Sequence, residues 1–126
     1  MKFEIDFSPL PDYVLIKSEG EASVEDFENL LKTLTMSPRW KSGTKQLFDH
    51  RNLIVNDIFI AEMRQLVNLV RSHTTEYGSG PWAFVVQDAL SFALTKMFEL
   101  LGGAAFHPPF GVFYSVEEAI KWLKEQ

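Results

Sequence analysis

The stretch Thr44 to Ser72, TKQLFDHRNLIVNDIFIAEMRQLVNLVRS, constrains the fold more than any other part of the chain. Gln46 to Asp49 reads as a short buried strand. After it, apolar residues recur at Phe59, Met63, Leu66, Val67 and Val70, with Arg64, Gln65, Asn68, Arg71 and Ser72 on the other side of the wheel. That second spacing is helical and predicts a helix beginning near Ile58, with Phe59 on its inward face. A strand that empties through a loop into an amphipathic helix is half of a β-α-β unit. Open α/β sheets place ligands beyond the carboxyl ends of their strands, so the loop from Asp49 to Asp57 is the first candidate site.

The same grammar recurs downstream. Trp82-Ala83-Phe84-Val85-Val86 is a continuous apolar run of the kind covered on both faces in parallel sheets. Gln87 ends it, and Asp88 is placed to cap a helix whose apolar face is Leu90, Ala93, Leu94, Met97, Phe98 and Leu101, terminated by Gly102-Gly103. A last strand, Phe110 to Tyr114, meets the capping box Ser115-Val116-Glu117-Glu118 and a final helix with Ala119, Ile120 and Leu123 inward.

Upstream, Phe3, Ile5 and Phe7 alternate with charged residues, as on an edge strand with one wet face. Pro9 and Pro11 break the chain before a second strand, Tyr13 to Ser18, which should lie antiparallel to the first. Ser23 opens a helix with Phe27, Leu30, Leu31 and Leu34 on one face, ending near Met36. The order β-β-α-β-α-β-α-β-α predicts an α/β fold. Its mixed five-stranded sheet has an antiparallel N-terminal edge strand, is otherwise mostly parallel, and carries four helices. Gly78-Ser79-Gly80-Pro81 reads as a flexible connection, and His107-Pro108-Pro109 as a rigid lead-in to the last strand.

A chain of 126 residues, 46% of them hydrophobic, suffices for one core, so residues 1–126 are expected to form one domain. The net charge of -5, with no cluster of Lys or Arg, argues against a nucleic-acid partner. The absence of cysteine removes thiol chemistry and disulfides and suits a cytoplasmic protein. Met1 to Asp6 alternates charge and apolar residue, unlike a signal peptide, and no run approaches the roughly 20 apolar residues of a membrane span.

The segments YVLIKSEGEAS, Leu47-Phe48-Asp49, WAFVVQDALSFALTKMFELLGG and FYSVEEAIKWL together resemble the SpoIIAA-like (STAS/SEC14-type) bacterial proteins, relatives of the anti-sigma-factor antagonists. The resemblance runs over nearly the whole chain and rests mostly on core patterning, which speaks to fold more than to function. It implies a small noncatalytic binding or regulatory module, and for the SpoIIAA-like branch a nonpolar ligand or contact with membrane lipid. In the phosphoregulated antagonists a serine after the third strand carries a phosphate. The matching segment, His50 to Asp57, has neither Ser nor Thr, so the switch is expected to be absent.

Catalytic signals are weak. Asp49 beside His50 invites a general base, but adjacent residues on an extended chain point to opposite faces. The plainer reading has Asp49 accepting backbone N–H bonds in a turn while His50 and Arg51 point into water. No Gly-x-Ser-x-Gly elbow exists to support Ser91 with His50 and Asp49 as a triad. His50, His73 and His107 are too scattered for a zinc site, and no cofactor is expected.

More telling is an excess of apolar residues at the strand ends. Leu53, Ile54, Val55, Ile58 and Phe59 exceed what one helical face can bury, and Phe92 falls opposite the apolar face of its helix. With Asp49, His50, Arg51, Gln87, Asp88 and Ser91 they make a candidate binding surface for a protein partner or a small nonpolar ligand. The sequence leaves open whether they form a pocket, a homodimer or membrane contact, or a buried local cluster.

Overall fold

The computed structural model describes residues 1–103 and 109–126. The elements run β1 (Lys2–Asp6), β2 (Val14–Glu21), α1 (Val24–Met36), β3 (Gln46–Ile54), α2 (Ile60–Arg71), α3 (Thr74–Tyr77), β4 (Trp82–Val85), α4 (Ala89–Gly102), β5 (Phe110–Phe113) and α5 (Val116–Lys124). They form a five-stranded sheet in the order β1-β2-β3-β4-β5, with β1 antiparallel to β2 and every other pair parallel. The sheet is as expected, whereas the described residues hold five helices, the addition being the single turn α3. Of the lead-in expected at His107-Pro108-Pro109, His107 and Pro108 lie outside the described residues.

Side-chain caps explain three of the four long helices. Ser23, Asp88 and Ser115 each accept a bond from the backbone N–H three residues on, supplied by Asp26, Ser91 and Glu118, so three helix starts were legible from the chain. The connection at Gly78–Gly80 packs closely against Gly43. Gly43 N–H donates to Tyr77 O at 3.0 Å, and a Cβ on Gly80 would sit 2.2 Å from Gly43 O. Glycine is needed there because two backbones touch.

The two faces of the sheet differ. On one, α5 packs alone, closing Leu47, Ala83, Val85, Ala119 and Leu123 into a cluster whose members are all 0% exposed. Ala83 and its neighbour Gly111 keep that face low, since a Cβ on Gly111 would meet the rings of Phe113 and Trp122. The other face carries α1, α2 and α4 over Val14, Ile16, Phe48, Trp82 and Phe84. Its rings stack, Phe48 on Phe84 at 4.8 Å and Phe84 on Phe110 at 4.9 Å between centroids.

The largest departure from expectation is in β3. The segment after Asp49, expected as a loop, continues as strand to Ile54. It does so with a bulge: Lys17 pairs with Asp49 and Glu19 with Asn52, leaving His50 and Arg51 together opposite Ser18. Strict alternation would put Leu53 on the face of Asp49 and Arg51. The extra residue returns it to the face of Phe48 and His50, where it is 8% exposed.

Candidate functional site

The bulge, the start of α2 and the start of α4 meet on the three-helix face around a partly open cavity of about 110 Å³. The sheet supplies its floor through Phe48, His50, Trp82, Phe84 and Val86. Leu53, Val55 and Ile58 close one side, Phe27 and Leu31 of α1 another. Met63, Leu66 and Val70 of α2 face Ser91, Leu94, Thr95 and Phe98 of α4 across it. The walls are almost wholly apolar, with polar atoms on His50, Ser91, Thr95 and the Trp82 indole, and no Lys, Arg, Asp or Glu among them.

His50 is the unusual wall. Its ring sits 5.8 Å from Phe27, 5.7 Å from Phe48 and 5.5 Å from Phe84, tilted or edge-on to each. Nε2 is withdrawn from solvent and has no hydrogen-bond partner. Burial pushes the imidazole down to about 4, with the charge of Asp49 pulling weakly the other way, so the ring is neutral at pH 7. The expectation that His50 points into water is overturned. The aromatic face it shares with Phe48, two residues back on the strand, draws it inward.

Asp49 faces the other way. Arg51 Nε donates to Asp49 Oδ1 at 2.9 Å and Nη2 to Oδ2 at 2.8 Å, a fork made possible because residues two apart share a strand face. The backbone N–H of Arg51 also donates to Oδ1, at 3.3 Å, so the turn-like bond expected of Asp49 is present within a strand. The Arg51 guanidinium holds the Asp49 carboxyl below the usual carboxylate range, against the opposing effect of burial. The sheet thus separates Asp49 from His50, and a Ser91–His50–Asp49 relay is not assembled.

The remaining candidates divide. Leu53, Val55, Ile58 and Ser91 line the cavity. Ile54 and Phe59 do not, being 48% and 63% exposed, and with Ile60 and Leu90 they stand as an apolar rim at the same end of the sheet. Phe59 was expected inward on α2 but is instead its extended N-cap residue. The turn closed by Ile58 N–H to Val55 O tucks Ile58 under, and the next extended residue points out. Gln87 and Asp88 are exposed at the start of α4, Asp88 spent on its cap.

The inward arc of α4 is also turned from expectation. Leu90 and Ala93 are exposed, whereas Ser91 and Thr95 face the cavity with Leu94 and Phe98. Thr95 Oγ1 donates to Ser91 O at 2.8 Å, which removes the cost of burying its hydroxyl. Phe92, expected exposed, is half-buried and stacks on Tyr114 at 5.3 Å. Sequence reasoning assigned Phe27, Phe48, Met63, Leu66, Phe84 and Phe98 to the core. Nothing in an apolar periodicity distinguishes a residue that touches a neighbour from one that touches a void.

Comparison with known proteins bears on the fold. Scans against protein-family models and against curated proteins find no match. Among solved structures, an uncharacterized protein of the DUF3478 family from Shewanella loihica PV-4, with a SpoIIAA-like fold, superposes with a TM-score of 0.62 at 18% identity, covering 97% of this chain and 92% of that one. This chain has a SpoIIAA-like fold. At that identity the SpoIIAA-like likeness carries architecture alone, and the function rests on the site. Among the described residues no helix is long and apolar enough to cross a membrane, and no three His, Asp or Glu gather as a metal would need.

Proposed function

We propose that this SpoIIAA-like domain is a noncatalytic binding module that takes a small nonpolar ligand into the cavity between the sheet and α1, α2 and α4. The observation that carries the reading is the lining: about 110 Å³ of space with apolar walls between the sheet and three helices. Protein interiors rarely leave such voids, because lining atoms without neighbours forfeit dispersion contacts. An apolar ligand restores them. For scale, an engineered apolar cavity of about 150 Å³ stays dry and binds benzene, so one six-membered ring or a short branched chain fits here.

The exposed rim of Ile54, Phe59, Ile60 and Leu90 adjoins this site and gives an apolar ligand a surface to land on. A protein partner or a membrane would meet the same rim, and neither needs the cavity. Leu94→Trp separates the readings by filling the void. The variant should keep its melting temperature and lose binding of toluene, followed by ligand-observed NMR. Toluene uptake equal in variant and parent, or none in the parent, sinks the cavity as the site.

A further inference from the structure

The walls that admit an apolar ligand also restrict what polar group it can carry. We propose, resting on the cavity reading above, that the ligand is an uncharged single-ring aromatic alcohol, a phenol, seated with its hydroxyl on His50, and that the site rejects carboxylates.

The shape argues for a ring. Phe48 and Phe84 lie nearly parallel, with 9° between their planes, and together with Phe27 they surround the His50 imidazole, so the floor offers aromatic faces and edges on several sides. A flat ligand meets these in the offset or edge-on arrangements that aromatic pairs prefer. The volume suits one ring.

The charge pattern argues for a neutral group. No cationic side chain lines the cavity. The nearest charged group along the strand is Asp49, which is itself an anion, and its Arg51 partner is tied to it on the opposite sheet face. A carboxylate brought in would lose its water and gain no counter-ion. Burial keeps His50 neutral, so it does not supply the missing cation.

The hydrogen-bonding capacity argues for a hydroxyl. A neutral imidazole carries one donor nitrogen and one acceptor nitrogen, and Nε2 has no partner within the protein. A carbonyl can only accept, and so serves one tautomer. A hydroxyl both gives and accepts, matching His50 in either tautomer, and can share the Ser91 side chain that lines the same space.

The test is a titration with three compounds that share a methyl-substituted benzene ring: 4-methylphenol, toluene and 4-methylbenzoate. The phenol should bind about tenfold tighter than toluene, the return of one buried hydrogen bond, and the benzoate at least about tenfold weaker than the phenol. His50→Leu should retain toluene and erase the preference for the phenol. Because that variant alters the cavity floor, the parent protein provides a second readout: the imidazole ¹⁵N resonances of His50 should move on adding 4-methylphenol and stay with toluene. Toluene binding without discrimination, benzoate binding as tight as the phenol, or unmoved imidazole resonances would overturn the proposal and leave the cavity reading intact. Failure of all three compounds to bind would overturn both.

Discussion

The two faces of the β-sheet use the same strands in opposite ways. Toward α5 the strands present small or slender residues, Leu47, Ala83, Val85 and Gly111, and one helix closes on them so that Leu47, Ala83 and Val85 are 0% exposed. Toward α1, α2 and α4 they present Phe48, His50, Trp82 and Phe84, large flat rings that stack on one another and hold three helices at a distance. Small residues let elements approach until dispersion is complete. Rings leave polygonal space that side chains from three separate helices do not fill. One face is therefore closed, and the other keeps a cavity.

The largest test of that contrast is Leu123→Ala, which empties a position 0% exposed in the α5 cluster. It should lower unfolding free energy by about 3–5 kcal/mol, read by urea denaturation, while toluene binding to the remaining folded protein stays unchanged. A loss nearer the size expected at a surface site would mean that the α5 face is not the close-packed one.

A smaller effect belongs to the guest face. The His50 imidazole lies near 4 in the fold against roughly 6.5 in an unfolded chain, so as pH falls the unfolded state takes up a proton first. Stability contributed by the neutral ring is complete above about pH 6.5 and is lost progressively toward pH 4, on the order of 3 kcal/mol in all. His50→Leu should flatten that segment of the profile. If it leaves the slope between pH 6.5 and 4 as it was, His50 is not the buried titrating group.

The smallest expected change is on the outer face. Asp49→Asn breaks the fork to Arg51, a pair whose guanidinium side is 43% and carboxylate side 10% exposed, and should cost about 1–2 kcal/mol. Ligand preference should be preserved, because the sheet stands between Asp49 and the cavity, and the slope should change little between pH 6.5 and about 5, since the Asp49 charge acts only weakly on His50. A changed preference for 4-methylphenol in this variant would show the two faces to be coupled.

Much of the fold was readable before any coordinates. The alternation in β1, the apolar run of β4, the helical periodicity of α2 and the caps at Ser23, Asp88 and Ser115 are local signals, each settled by the few residues around it, and with the apolar runs of the other strands they mark five strands and the four long helices. The site was half readable. Leu53, Val55 and Ile58 stood out as more apolar residues than one face can bury, and they meet at the cavity with the strand-end candidates His50 and Ser91, although His50 was expected to point into water. The single turn α3 and the run of β3 past Asp49 were not readable, because α3 is too short for a periodic signal and the strand is extended by pairing with β2 through a bulge.

What the sequence by itself determined is the order and kind of the elements, since hydrophobic period and capping chemistry act within a turn or a strand. The tertiary structure alone decided where His50 points, which arc of α4 faces inward and that a space remains between them. Those depend on the register of β3 against β2 and on how far stacked rings hold three helices from a sheet, distances set by residues far apart in the chain.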